Sequence, residues 1–122
     1  MRRIITSVNN QLVKETSELK IKKYRTAADA FIIEGARSTE EVLSSGWDIL
    51  RAFVDVSVES ERVRKIADEL EAIGVAVFEV MPEVMQRLSD TDTPQGILVV
   101  VRKKLYELDD FNQNDEGLLL VL

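Results

Sequence analysis

Hydrophobic and polar positions along the chain fall into two alternating rhythms. From residue 8 to 24, Val8, Leu12, Val13, Leu19 and Ile21 stand among polar neighbours, a spacing that gives a helix one apolar side, with Ser7 or Asn9 as its cap. Phe31-Ile32-Ile33 is a short apolar run of strand type. "GARSTEEVLSSG" (35–46) predicts a short helix: Ser38 with Glu41 fits a capping box, Gly46 is a stop, and a start at Gly35 fits equally well. "ILRAFVDVSV" (49–58) predicts a strand. "SERVRKIADELEAIG" (60–74) is the clearest helix, because Val63, Ile66, Ala67 and Leu70 recur at i, i+3, i+4 and i+7 before Gly74 closes it. "VAVFEV" (75–80) returns to strand, Pro82 opens a helix continued by Val84, Met85 and Leu88, and "ILVVV" (97–101) is a further strand.

Strands alternating with short helices predict an α/β layer fold. "FII" and "ILVVV" lack apolar–polar alternation, which is the mark of strands covered on both faces. "SDTDTPQG" (89–96) has the composition of a loop, and "LYELDDFNQNDE" (105–116), acidic and without pattern, that of a linker. "GLLLVL" (117–122) is a new apolar run of strand type. Left uncovered it would be an aggregation hazard, so it either pairs with the main sheet or begins a second domain.

Composition narrows the chemistry. The 122 residues suffice for one domain with a core, and 45% hydrophobic with 31% charged residues is ordinary soluble usage. Cysteine and histidine are both missing. That removes disulfides, thiolates, the commonest general base and the commonest zinc ligand, and it fits a cytoplasmic setting. No apolar run approaches the ~18 residues of a membrane span, so no membrane partner is expected. The net charge is −6, but residues 1–37 alone carry +4 and the remainder −10. Screening confines each charge to ~8–10 Å, so a local basic face still attracts phosphates.

That basic face centres on "KKYRTAADAFIIEGAR" (22–37). Lys20 and Lys23 share a helical face with Thr16, Arg25 follows, and Arg37 comes just after Gly35, which permits close backbone approach. Several cations on one surface suit phosphate contact, and they equally suit a solvated helix face. Tyr24, between Lys23 and Arg25, is the aromatic placed for base stacking; Phe31, Trp47, Phe53 and Phe78 belong with apolar segments and the core. Glu34 ends a strand beside Gly35, where it can accept from a base edge or a ribose hydroxyl, or simply pair with Arg37. Asp90 and Asp92 match two ligands of a calcium loop, yet Gln95 stands at the turn-glycine place and Val101 at the bidentate acid, so no metal is expected. Pro94 and Gly96 fit a rigid turn before the last strand. Neither familiar nucleotide loop, G-x-x-x-x-G-K-[ST] or G-x-G-x-x-G, is present.

Two segments in order then carry a resemblance. Asn9 or Asn10, Lys22-Lys23-x-Arg25, Phe31 and Glu34-Gly35-x-Arg37 form the first, and "LSDTDTPQGILVVV" (88–101) the second, about 50 residues on. Together they resemble the opening of the SpoU/TrmH family of RNA 2'-O-ribose methyltransferases. The resemblance implies an L30e-like substrate-binding domain over residues 1–104, a three-layer α/β/α sandwich of about four strands with helices on both faces. It implies that 105–116 is a linker and that 117–122 is the first strand of a knotted catalytic domain. That domain would bind S-adenosylmethionine and form a homodimer, so the present chain would hold no cofactor and no catalytic residue and would itself be inactive, while its own oligomeric state stays open, a monomer included. The partner would be rRNA or tRNA, met by Lys22, Lys23, Arg25, Glu34, Gly35 and Arg37, with Thr93, Pro94, Gln95 and Gly96 on a neighbouring loop. Two other readings stay open from the residues alone. One is a stand-alone L30e-like RNA-binding protein. The other is a protein-interaction module acting through the acidic helix around Ser60–Glu71 or the apolar C-terminal run.

Overall fold

The computed structural model describes residues 3–92 and 94–102. Thr93, the 105–116 segment and the 117–122 run lie outside the described residues. In chain order the elements are β1 (Arg3–Ile5), α1 (Gln11–Glu18), α2 (Lys22–Ala28), β2 (Phe31–Glu34), α3 (Ala36–Ser45), β3 (Asp48–Asp55), α4 (Glu61–Ala72), β4 (Ala76–Val80), α5 (Pro82–Leu88) and β5 (Ile97–Arg102). The strands form one mixed sheet in the order β1-β4-β3-β5-β2. β1 and β3 flank β4 in parallel, while β5 runs antiparallel to both β3 and β2.

β5 is the spine of the molecule. Ile97 to Val101 are all fully buried, as an apolar run without alternation requires. The pleat sends them to two separate cores. Leu98 and Val100 join Val13, Phe53, Met85 and Leu88 under α1 and α5; Ile97, Val99 and Val101 join Ala52, Ile66, Ala67 and Leu70 under α3 and α4. Each Leu, Ile or Val so covered stabilises the fold by about 1.5–3 kcal/mol. The three-layer α/β/α expectation is met, with one strand more than the four expected. β1 escaped notice because three residues with only Ile5 buried carry no pattern.

Helix ends follow from local chemistry. Ser60 Oγ accepts from the Val63 amide at 3.2 Å and starts α4. Pro82 sits at the first position of α5, where a missing N–H costs nothing. α3 uses the earlier of its two possible starts: Gly35 is the cap, and Thr39 donates to the Gly35 carbonyl through both its amide (3.0 Å) and its hydroxyl (2.7 Å). An exposed bidentate pair, Arg62 to Glu40 at 2.6 and 3.0 Å, ties α4 to α3. The Arg62 hydrogen bond holds the Glu40 carboxyl below its usual range.

Two boundaries differ from expectation for identifiable reasons. β3 stops at Asp55 rather than residue 58, because Asp55 Oδ1 accepts from the amide and hydroxyl of Ser57 at 2.8 and 2.7 Å and turns the chain. The single helix expected over 8–24 is two. Asn10, not Ser7 or Asn9, caps α1, its Oδ1 accepting from Leu12 and Val13. The chain then breaks at Leu19–Ile21, with Ile21 extended and 53% exposed. Arg25 makes this break: its Nη1 donates to the carbonyls of Leu19 (3.2 Å) and Lys20 (2.9 Å), satisfying groups that a continuing helix would otherwise need.

Candidate nucleic-acid interface

α2 buries none of its residues, so it owes its place to its ends rather than to a packed face. Arg25 holds one end. Lys20 holds the approach to it, donating from Nζ to the carbonyls of Arg87 (2.7 Å) and Ser89 (3.3 Å). At the other end Asp29 adopts the left-handed conformation, and the Ala30 amide returns to the Arg25 carbonyl at 3.2 Å. The basic cluster read from the sequence therefore splits by role. Lys20 and Arg25 tie the backbone together, whereas Lys22 and Lys23 face solvent, with Lys23 Nζ 5.6 Å from the centre of the Tyr24 ring.

Between α2, β2 and the 89–92 stretch lies a groove of about 530 Å³, walled by Lys20, Arg25, Asp29, Glu34 and Asp90 over an apolar floor of Leu19, Ala30 and Ile32. Glu34 closes one end of it. Its two oxygens accept from the Ser89 hydroxyl at 2.8 and 2.9 Å, and Oε2 accepts from the Gln95 amide at 3.1 Å. Among the described residues these loop donors, and not Arg37, engage the carboxylate. The two motif segments thus meet in space, the antiparallel β2–β5 register placing Glu34 opposite Leu98.

Glycines make that meeting possible. Gly35 takes φ +104°, and a Cβ there would stand 2.8 Å from Gln95 Oε1. Gly96 takes φ +92°, with its missing Cβ 3.0 Å from a Val58 methyl, while its carbonyl accepts from the Asp55 amide. Pro94 and Gln95 stand between them on the loop, Gln95 exposed. Arg37 is exposed on the first turn of α3. A cation at a helix N-terminus is opposed by the macrodipole by about 0.3–1 kcal/mol, so Arg37 does not stand there for the helix's benefit.

Sequence reasoning missed Ser89, which is buried, polar and the direct partner of Glu34. Its signal was present in the "LSDTDTPQG" segment, but a serine in a loop looks like any turn residue until the strand facing it is known. Chemically, the arrangement holds and orients. The Glu34 carboxylate is committed to the loop, and the exposed groups around the groove are Asp29 and Asp90 on its walls and the cations Lys22, Lys23 and Arg37, the latter suited to phosphate.

Comparison with known proteins bears on the family of the chain. Residues 10–99 match the family model of the MRM3-like substrate binding domain. The 23S rRNA (guanosine(2553)-2'-O)-methyltransferase RlmP of Bacillus subtilis (strain 168) is 32% identical over 96 residues, which cover 79% of this chain and 36% of that protein. Among solved structures, an rRNA methyltransferase from Sinorhizobium meliloti superposes with a TM-score of 0.72 at 26% identity, covering 84% of this chain and 37% of that one. A second, an RNA 2'-O ribose methyltransferase, gives a TM-score of 0.73 at 30% identity, over 84% of this chain and 38% of that one. The chain spans little more than a third of the length of each of these relatives. The resemblance carried by the two motif segments is thereby borne out: the chain belongs to the MRM3-like substrate-binding domain family.

Proposed function

We propose that this chain is the RNA-recognition domain of an S-adenosylmethionine-dependent rRNA 2'-O-ribose methyltransferase. The observation that carries the proposal is α2: a helix with no buried residue that presents Lys22 and Lys23 to solvent beside a groove, in a chain of net charge −6. A helix that adds nothing to the core and keeps its cations outward is placed for a partner, and the family's relatives are RNA methyltransferases. Lys22, Lys23 and Arg37 take phosphates, while Glu34, Gly35 and the Pro94–Gly96 stretch fix the shape of the surface between them.

Three polar groups of the groove, Glu34, Lys20 and Arg25, are not free to hold the methyl donor. The Glu34 carboxylate, the natural acceptor for a ribose hydroxyl, is taken by Ser89 and Gln95, and Lys20 and Arg25 are taken by main-chain carbonyls. The donor and the reacting hydroxyl belong in a separate catalytic domain of the parent enzyme, through which the parent also dimerises. A relative solved with AdoMet bound supports the donor's identity. What this domain supplies is orientation: binding energy gathered away from the reacting atoms holds the ribose where transfer occurs.

The test is binding of a structured rRNA fragment at two salt concentrations, with wild type beside a Lys22→Ala/Lys23→Ala/Arg37→Ala variant. Wild type binds with a salt slope, and the variant binds more weakly with a slope reduced by about 0.7–0.9 per lost contact. Equal affinity and slope for the two proteins would overturn the assignment of this surface.

A further inference from the structure

α2 is flanked by a second cleft. At 3.6 residues per turn, Arg25, Thr26 and Asp29 fall on one side of the helix, and Tyr24, Ala27 and Ala28 fall on the other. The first set walls the groove that ends at Glu34; the second walls a cleft of about 390 Å³. Leu19 and Ala30 contribute to both, so the helix is a ridge between two adjoining hollows.

The second cleft is built by an irregularity in β3. The β3–β5 register jumps between Ile49 and Arg51, leaving Leu50 as an extra residue. Ile49 packs with the core under α3 and α4, whereas Leu50 packs with the core under α1 and α5. Arg51, the next residue, is on the same side as Leu50, because its Nε donates to Thr16 Oγ1 of α1 at 3.1 Å. A regular strand sends consecutive side chains to opposite faces; this bulge sends two to one face and so delivers a guanidinium under α1. Burial pushes the Arg51 guanidinium down from its usual value while Glu15 opposes that shift, and an arginine stays charged throughout. Arg102 at the end of β5 and the Tyr24 ring, 37% exposed and beneath Lys23 Nζ, complete the walls, with Glu15 and Glu18 along one edge.

We infer that this cleft is a subsite for a single unpaired RNA base, stacked on Tyr24, with the flanking phosphates on Lys23, Arg51 and Arg102 and the base's N–H donors toward Glu15 and Glu18. The inference rests on the RNA reading above. An aromatic ring, a cation beside it and paired carboxylates suit a base: a π-face to stack, a phosphate to neutralise and polar edges to match. An apolar ligand would take water from the two arginines and two glutamates of this cleft without offering a polar contact in exchange. The subsite also adjoins the surface that carries Lys22 and Lys23, so one RNA strand crossing the α2 ridge meets both.

The experiment uses the 122-residue chain, a labelled RNA hairpin with an unpaired loop containing 2-aminopurine, and a blunt duplex of the same stem. Tyr24→Ala is expected to weaken hairpin binding about tenfold, to abolish the quenching of 2-aminopurine and to leave duplex binding within about twofold. Tyr24→Phe keeps the ring and is expected to retain hairpin affinity. Emission of Trp47, which packs on Phe31 at 5.6 Å on the other face of the sheet, reports that each variant is folded. If Tyr24→Ala binds the hairpin as wild type does, while loss of Lys22 and Lys23 weakens it, the base subsite is wrong and the RNA reading stands. If wild type binds neither RNA, both fall together.

Discussion

A carboxylate at the end of an edge strand is ordinarily solvated; at Glu34 a loop from 55 residues further on supplies its partners instead. Ser89 and the Gln95 amide bind both oxygens, so the residue fixes the 89–96 loop against β2 and leaves its charge half-buried and satisfied. Gly35 beside it accepts a backbone conformation that other residues enter only at a strain of about 1–3 kcal/mol. These two residues shape the site. Glu34→Ala is therefore expected to destabilise the chain by about 1.5–3 kcal/mol in chemical denaturation and to accelerate hydrogen exchange at the Gln95 amide. Unchanged exchange at Gln95 would show that the loop holds itself in place without the carboxylate. The sequence offered Arg37 as a partner for Glu34 because the two are three apart; the sheet register, invisible in sequence, brought Ser89 instead.

At the scale of elements, the cations around the α1–α2 break divide into those that tie the backbone and those proposed to bind. Arg25 binds the carbonyls of Leu19 and Lys20 in the break itself, and Lys20 reaches the end of α5. Replacing Arg25 by Ala removes two charge-assisted hydrogen bonds and is expected to cost about 1.5–3 kcal/mol and to loosen the amides of α2 in hydrogen exchange. Lys22→Ala with Lys23→Ala is expected to leave both unchanged. Equal losses for the two variants would deny the division of roles. The helices with a periodic apolar stripe were legible in sequence, α4 above all, because Val63, Ile66, Ala67 and Leu70 both set the pattern and fill the core. β5 was legible for the same reason. The break was not. No glycine or proline marks it, Ile21 looked like part of the stripe yet faces solvent, and the agent is a side chain folding back on carbonyls. The bulge at Leu50 was equally hidden, since the apolar run over 49–58 looks the same with or without an extra residue.

Over the whole molecule, a net charge of −6 and the proposed RNA-binding role are reconciled by location. The acidic residues concentrate after residue 37, where those of α4 are interspersed with the exposed Arg62, Arg64 and Lys65, while Lys22 and Lys23 stand exposed side by side on α2 and Arg37 at the start of α3. With charges screened beyond ~8–10 Å, the chain's net negative charge does not cancel the local cations of α2. The measurement that tests this most directly is residue-by-residue mapping of amide chemical shifts in the 122-residue chain as a hairpin rRNA fragment is added. The account predicts changes at Lys22–Ala28, at Glu34–Arg37 and at Gln95–Gly96, with α4 silent. Changes centred on α4, or none at saturating RNA, would contradict it.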